Sequence, residues 1–245
     1  MRNCSRPWIG TGSGHLMPRS RTYAKWHDHA NGVHPSDNLR DWLTDRVSLT
    51  YKLMAHCQQF RVQRLRQQRA LCLADEWQRI ELPRRLQVQE RDVLLRCDDR
   101  PMVLGHTVVA LDATTTEWPF FSTLGERSLG TTLFGDPLVA RGQLQFARLD
   151  HDHPLVQRMR AATGADGFAY PLWARRSTFR RKTGVMLVTE VFFPEIEQLQ
   201  RVRPDSKAMA SPAASGFSRQ IVPAYQQHSF DATAQLAAVS SGIHT

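Results

Sequence analysis

Apolar and polar positions are most clearly patterned over residues 184–194, which open on Gly184 and close on Pro194. The stretch is rich in β-branched and aromatic residues, which predicts a strand. Side chains on a strand alternate between two faces. Val185, Leu187, Thr189, Val191 and Phe193 would share one face, and Met186, Val188, Glu190 and Phe192 the other. Both faces are apolar, so the strand is expected inside a sheet, covered on both sides. Glu190 is then a lone carboxylate on a wall of Met, Val and Phe. Such a group is costly unless a cation or hydrogen-bond donors meet it.

The same reading predicts a series of short elements before this strand. Ser36 or Asp37 can cap a helix that buries Leu39, Trp42 and Leu43, and Ser48 can cap a second with Leu49, Leu53 and Met54 along one side. Residues 60–73 alternate weakly as a strand, and residues 74–86 read as a connection with one turn of helix. Residues 87–97 and 102–111 are strands of a hairpin, with turn chemistry at Asp98, Asp99, Arg100 and Pro101. In its first strand Arg91 shares a face with Gln89, Val93, Leu95 and Cys97. A guanidinium there needs a partner, unless it tips to solvent at the strand end, and parity alone favours the solvent-tipped reading.

Residues 114–119 are a connection, and residues 120–134 hold two short helical patterns broken at Gly125 and Gly130. A strand over 142–149, a turn over 150–154 and a short amphipathic helix over 155–162 follow. Residues 168–182 and 184–193 form a second hairpin. One face of its first strand carries Trp173, Arg175, Ser177 and Phe179, and the other Arg176, Thr178 and Arg180, so either face brings cations beside Glu190.

Composition sets the boundaries. Residues 1–35 mix Gly, Ser, Arg and His without a period and are expected to be a disordered or loosely attached arm; residues 200–245, rich in Ala, Ser, Gln and Pro, are expected to be a disordered tail. One domain over 36–199 lies between them. No run approaches the ~18 apolar residues needed to span a bilayer, and the N-terminus lacks an apolar signal segment, so a cytoplasmic protein is expected. The net charge is +9 and nearly all of it is Arg, with Lys only at 25, 52, 182 and 207. That bias suits planar, bidentate grip on carboxylate or phosphate, and equally suits a GC-rich genome. Cys4, Cys57, Cys72 and Cys97 show no C-x-x-C spacing and read as reduced thiols. His27, Asp28, His29 and His34 lack the spacing of a helical metal site, and no phosphate loop, zinc knuckle or nucleophile elbow is found.

Four blocks in order carry a family likeness. They are Asp41-Trp42-Leu43 with Ser48-Leu49-Thr50; Arg91 to Leu95 with Gly105 to Val109; Leu124-Gly125, Leu129-Gly130 and Leu133-Phe134; and Leu172 to Ser177 leading into Leu187 to Pro194. Over roughly residues 38 to 197 the chain resembles the chorismate–pyruvate lyases, which open bacterial ubiquinone synthesis. The resemblance implies an α+β fold: a single antiparallel sheet with short helices packed on it and helical flaps over a buried ligand pocket. It implies removal of pyruvate from chorismate to leave 4-hydroxybenzoate, with Leu49, Arg91, Leu129 and Glu190 touching the ligand. Position 49 is often Met in relatives, and the residue before the Arg175-Arg176-Ser177 run is often Gly where this chain has Ala174.

Carried onto these residues, Arg91 would hold the ring carboxylate bidentately, with backbone N–H groups near Leu49 and Leu129 sharing the load. Glu190 would hydrogen-bond the 4-hydroxyl and either act as a general base with a raised pKa or only orient the ring. Arg175 or Arg176 would meet the departing pyruvate carboxylate, or be structural. No metal or organic cofactor is implied, and a monomer is expected. Two rivals exist. Effector-sensing domains of bacterial transcription regulators share the sheet and bind small acids without chemistry, but follow a winged-helix domain for which residues 1–35 are too short. A nucleic-acid binder is suggested by charge alone, without aromatics interleaved along a basic groove.

Overall fold

A computed structural model describes residues 23–164 and 169–200. Helices α1 (Asp37–Thr44) and α2 (Leu49–Met54) precede strands β1 (Phe60–Leu71), β2 (Gln87–Cys97) and β3 (Arg100–Ala110). Two short helices, α3 (Ala113–Thr116) and α4 (Leu129–Leu133), lead to β4 (Val139–Arg141) and β5 (Gln145–Leu149). Helix α5 (Pro154–Thr163) is followed by the final hairpin, β6 (Leu172–Arg181) and β7 (Gly184–Phe192). The strands form one seven-stranded antiparallel sheet in the order β1-β2-β3-β7-β6-β4, with β5 also paired to β6. The fold is α+β, as expected.

Local chemistry accounts for the elements. The Ser36 side chain accepts from the Leu39 N–H at the start of α1. The β2–β3 turn needs two residues at positive φ, and Asp98 (47°) and Asp99 (62°), of the residue class that tolerates it, supply them. Strand β7 lies between β3 and β6 with both faces buried, because neither is polar enough to face water. Strands β4 and β5 share the outer edge of β6. Between them Gly142 donates to the Thr178 carbonyl at 2.8 Å, and a Cβ at 142 would lie 2.4 Å from Thr178 Oγ1.

Each face of the sheet carries two apolar clusters. On one face, Val62, Val93, Leu95, Val103 and Phe192 pack with α1 and α2, while Val109, Met186 and Phe179 pack with Trp118, Phe121, Leu124 and α4. On the other face, Leu94, Leu104, Val191 and Ala174 pack with α5, while Val88, Val108, Val185 and Leu187 meet Cys72 and Ile80.

Three expectations are corrected. Residues 27–35 are not a loose arm. His27 exchanges two backbone hydrogen bonds of 2.8 Å with Phe146, and a 3-10 turn, Ala30–Val33, buries Ala30 and Val33 beside Trp42 and Leu144. Two apolar residues among polar ones are too few to show a period, so this segment is ordered by tertiary contact. Strand β4 has three residues, too short for alternation to register. Residues 114–116, part of the stretch 114–119 read as connection, belong to the short helix α3, whose first N–H is accepted by the Asp112 carboxylate. The tail expected over 200–245, from residue 201 onward, and the arm before Tyr23 lie outside the described residues.

Candidate functional site

Cross-strand register assembles the site from residues distant in sequence. Arg91 pairs with Thr107, Thr107 with Val188, and Val188 with Ser177. Two residues along, on the same face, lies a row of Val93, Gly105, Glu190 and Arg175. These rows floor a cavity of about 60 Å³ between the two apolar clusters of that face. Leu49 and Thr50 from the start of α2, and Ser128, Leu129 and Gly130 from the start of α4, also line it. The four residues named from the sequence, Leu49, Arg91, Leu129 and Glu190, therefore share one cavity.

The two helices that bear Leu49 and Leu129 approach closely. Thr50 Oγ1 lies 2.5 Å from Ser128 Oγ. A Cβ at Gly130 would come within 2.8 Å of Ser48 Oγ and 3.1 Å of Thr50 Oγ1, so this crossing needs glycine at 130.

Arg91 does not tip to solvent; it is 1% exposed. Its Nη2 donates to the carbonyls of Gly125 (2.9 Å) and Arg127 (3.0 Å), while its Nε is buried without a hydrogen-bond partner. Burial, with Arg64 nearby as a lesser cause, pulls the guanidinium down to about 10, so it stays charged near neutrality. The loop between Pro119–Thr123 and α4 thus supplies main-chain acceptors in place of a carboxylate.

Glu190 is met by Arg175, whose Nε donates to Oε2 at 2.5 Å. Arg175 is fully buried, and its Nη1 also donates to the carbonyls of Trp42 (2.9 Å), Leu43 (3.3 Å) and Asp45 (2.7 Å). It ties the end of α1 to the floor of the cavity. Arg176 is on the other face, where Nε donates to Gln145 Oε1 (3.0 Å), Nη1 to the Asp75 carbonyl (3.0 Å), and the guanidinium stacks on Trp26. Of the two arginines considered for the pyruvate carboxylate, Arg176 is therefore excluded by strand parity.

Sequence reading missed Arg141. It lines the cavity from the end of β4, with Nε donating to Ser177 Oγ (3.0 Å) and Nη1 to the Arg46 carbonyl (2.7 Å). Burial brings it down to about 10, against the raising effect of Glu190. No pattern in a three-residue strand could have pointed to it.

A model of the chorismate lyase family matches residues 21–202. The chain belongs to the chorismate lyase family. Among curated relatives, "Probable chorismate pyruvate-lyase" of Ralstonia nicotianae is 48% identical over 157 residues, 63% of this chain and 80% of that protein. The protein of the same name from Cupriavidus metallidurans is 45% identical over 188 residues, 75% of this chain and 85% of that protein. Among solved structures, the effector domain of PhnF from Mycobacterium smegmatis is 12% identical, with a TM-score of 0.40, over 56% of this chain and 82% of that one. A likeness that loose says nothing of what is bound.

In this chorismate lyase family member the row between the two cavity rows faces the other way. Asp92 pairs with His106, His106 with Thr189, and Thr189 with Arg176. Asp92 Oδ1 lies 2.5 Å from His106 Nδ1, and Glu76 Oε1 lies 2.9 Å from His106 Nε2. Arg158 and Arg66 also reach both Asp92 and Glu90. Held between two carboxylates, the His106 imidazole is raised to about 10 despite full burial, and Asp92 is lowered to about 2. Its position inside the family-like block was read, but its partner Glu76 lies in the stretch read as plain connection.

Proposed function

We propose that the chain is a chorismate–pyruvate lyase that leaves 4-hydroxybenzoate and so supplies ubiquinone synthesis. The observation that carries this reading is the convergence of Arg91 and Glu190 on one buried cavity roofed by Leu49 and Leu129. Family membership supports it.

In this reading Arg91 takes the ring carboxylate with its unpartnered Nε and the adjacent guanidinium edge, in a setting where a charge-assisted bond is strong. The first-turn N–H groups at Leu49 and Leu129 add donors, and the two leucine side chains cover the ring. Glu190, steadied by Arg175, accepts from the 4-hydroxyl. Aromatisation breaks the C3–O bond, with the electron pair leaving on the enolpyruvyl oxygen, and removes the C4 hydrogen. That proton ends on the enolpyruvyl carbon to complete pyruvate, passed directly or by way of Glu190. Orientation is the larger contribution, since Arg91, Arg175 and Glu190 are fixed before the ligand arrives. No metal or organic cofactor enters these steps, and the enzyme is taken to act as a cytoplasmic monomer that binds no nucleic acid.

Purified protein incubated with chorismate should release 4-hydroxybenzoate, and none at high enzyme concentration would overturn the reading. Arg91→Ala should weaken binding, and Glu190→Gln should slow turnover with the fold intact. Unchanged kinetics in both would refute these roles. A sensor domain would instead bind 4-hydroxybenzoate without turnover.

A further inference from the structure

The charged side chains that line the cavity do not balance: Arg91, Arg141 and Arg175 stand against the single carboxylate of Glu190. Arg175 and Glu190 neutralise one another as an ion pair. Two guanidiniums remain, and neither Arg91 nor Arg141 has an ion-pair partner among the described residues. Asp45 and Arg46, just beyond Arg141, offset each other in sign. Leaving two cations uncompensated beside Val93, Leu95, Leu133 and Phe179 is costly unless the ligand brings two anionic groups.

The placement of the two cations fits such a ligand. β2 and β4 are separated by four steps across the sheet, β2–β3, β3–β7, β7–β6 and β6–β4. At ~4.8 Å per step their backbones are roughly 19 Å apart. Both side chains lean inward from those strands to line the one cavity. Arg141 is fixed in that lean by Ser177, which belongs to the same cross-strand row as Arg91, and by the Arg46 carbonyl. Its guanidinium also sits over Phe134 and Phe179, 5.4 and 5.5 Å from the ring centroids. A fork held by two hydrogen bonds and two aromatic faces is preorganised for a carboxylate.

We propose that Arg141 binds the second carboxylate of the substrate, the one on the enolpyruvyl arm. The inference rests on the lyase reading and adds a residue to it. Arg175 is left as the support of Glu190. After C3–O cleavage the arm departs with its carboxylate, and Arg141 loses its partner while Arg91 keeps the ring. The product is then held by one charged contact where the substrate had two.

The test is steady-state kinetics on chorismate together with calorimetric binding of 4-hydroxybenzoate, for wild type, Arg141→Gln, Arg141→Lys and Arg91→Lys. A charge-assisted contact of this kind corresponds to a ten- to hundredfold change. R141Q should raise KM for chorismate by that factor while the Kd for 4-hydroxybenzoate stays within threefold. R141K keeps the charge without the fork and should raise KM at least threefold. R91K should weaken both ligands. A wild-type KM in whichever Arg141 variant folds, or equal weakening of both ligands, overturns the inference while leaving the lyase reading in place. A wild type that makes no product overturns the lyase reading and, with it, this assignment.

Discussion

His106 offers a quantitative check on the back face of the sheet. Its imidazole is fully buried between Asp92 and Glu76 and is held at about 10, against 6.5 in an ordinary setting. A folded-state value above the unfolded one means that the folded protein binds the proton more tightly. The stabilisation is complete below about pH 6.5 and is lost as pH rises toward 10. The full shift corresponds to roughly 5 kcal/mol, an upper figure because it is shared with the carboxylates. Between these limits this group should lower wild-type stability by about 1.4 kcal/mol per pH unit. Asp92 works in the opposite sense: lowered to about 2, it contributes above about pH 4 and the contribution is lost as pH falls through 2. His106→Gln removes the cation and leaves Asp92 and Glu76 facing each other, which should cost about 3–5 kcal/mol near neutrality. Urea unfolding of both proteins at several pH values between 6 and 10 reads the difference, because groups remote from His106, Asp92 and Glu76 titrate alike in both. The gap should close as pH rises. Parallel stability curves for wild type and variant would refute the charged-imidazole account.

Other predictions concern the cavity. Arg175→Gln strips Glu190 of its cation and three carbonyls near the end of α1 of their donor; it should lower stability by roughly 3–5 kcal/mol in denaturant unfolding, with turnover falling as well. Gly130→Ala forces Ser48 Oγ aside and should cost about 1–2 kcal/mol, with Ser48→Ala restoring most of it in the double variant.

The sheet was legible because its longest strands carry their own pattern. The alternation around Glu190, the Asp98-Asp99 turn and the cap at Ser36 are local signals, and each appears in the structure where the residues require it. The faces of β6 were also legible, and parity alone separates Arg175 from Arg176. What pairs across the molecule was not. The carbonyls that hold Arg91 belong to a loop without period, the partner of Glu190 could have been either neighbouring arginine, and Arg141 lies in a strand of three residues. Glu76, buried against His106, sits in a run of turns whose mixed order gives no hint of burial. Such contacts depend on register between strands, which no single stretch of sequence encodes.

The single hydroxyl contact between Thr50 and Ser128 gives the cavity an unequal construction. Its base is hydrogen-bonded across the full sheet, whereas its cover is made of one helix of six residues and one of five. Helices that short have little stability of their own and stay in place through their contacts. The free space, about 60 Å³, is less than half of the roughly 150 Å³ that admits benzene in an engineered cavity. A bound ring therefore needs more room than this arrangement leaves. The carbonyls of Gly125 and Arg127 that hold Arg91 lie just before the shorter of these helices, so any shift of the cover acts on the guanidinium beneath it as well.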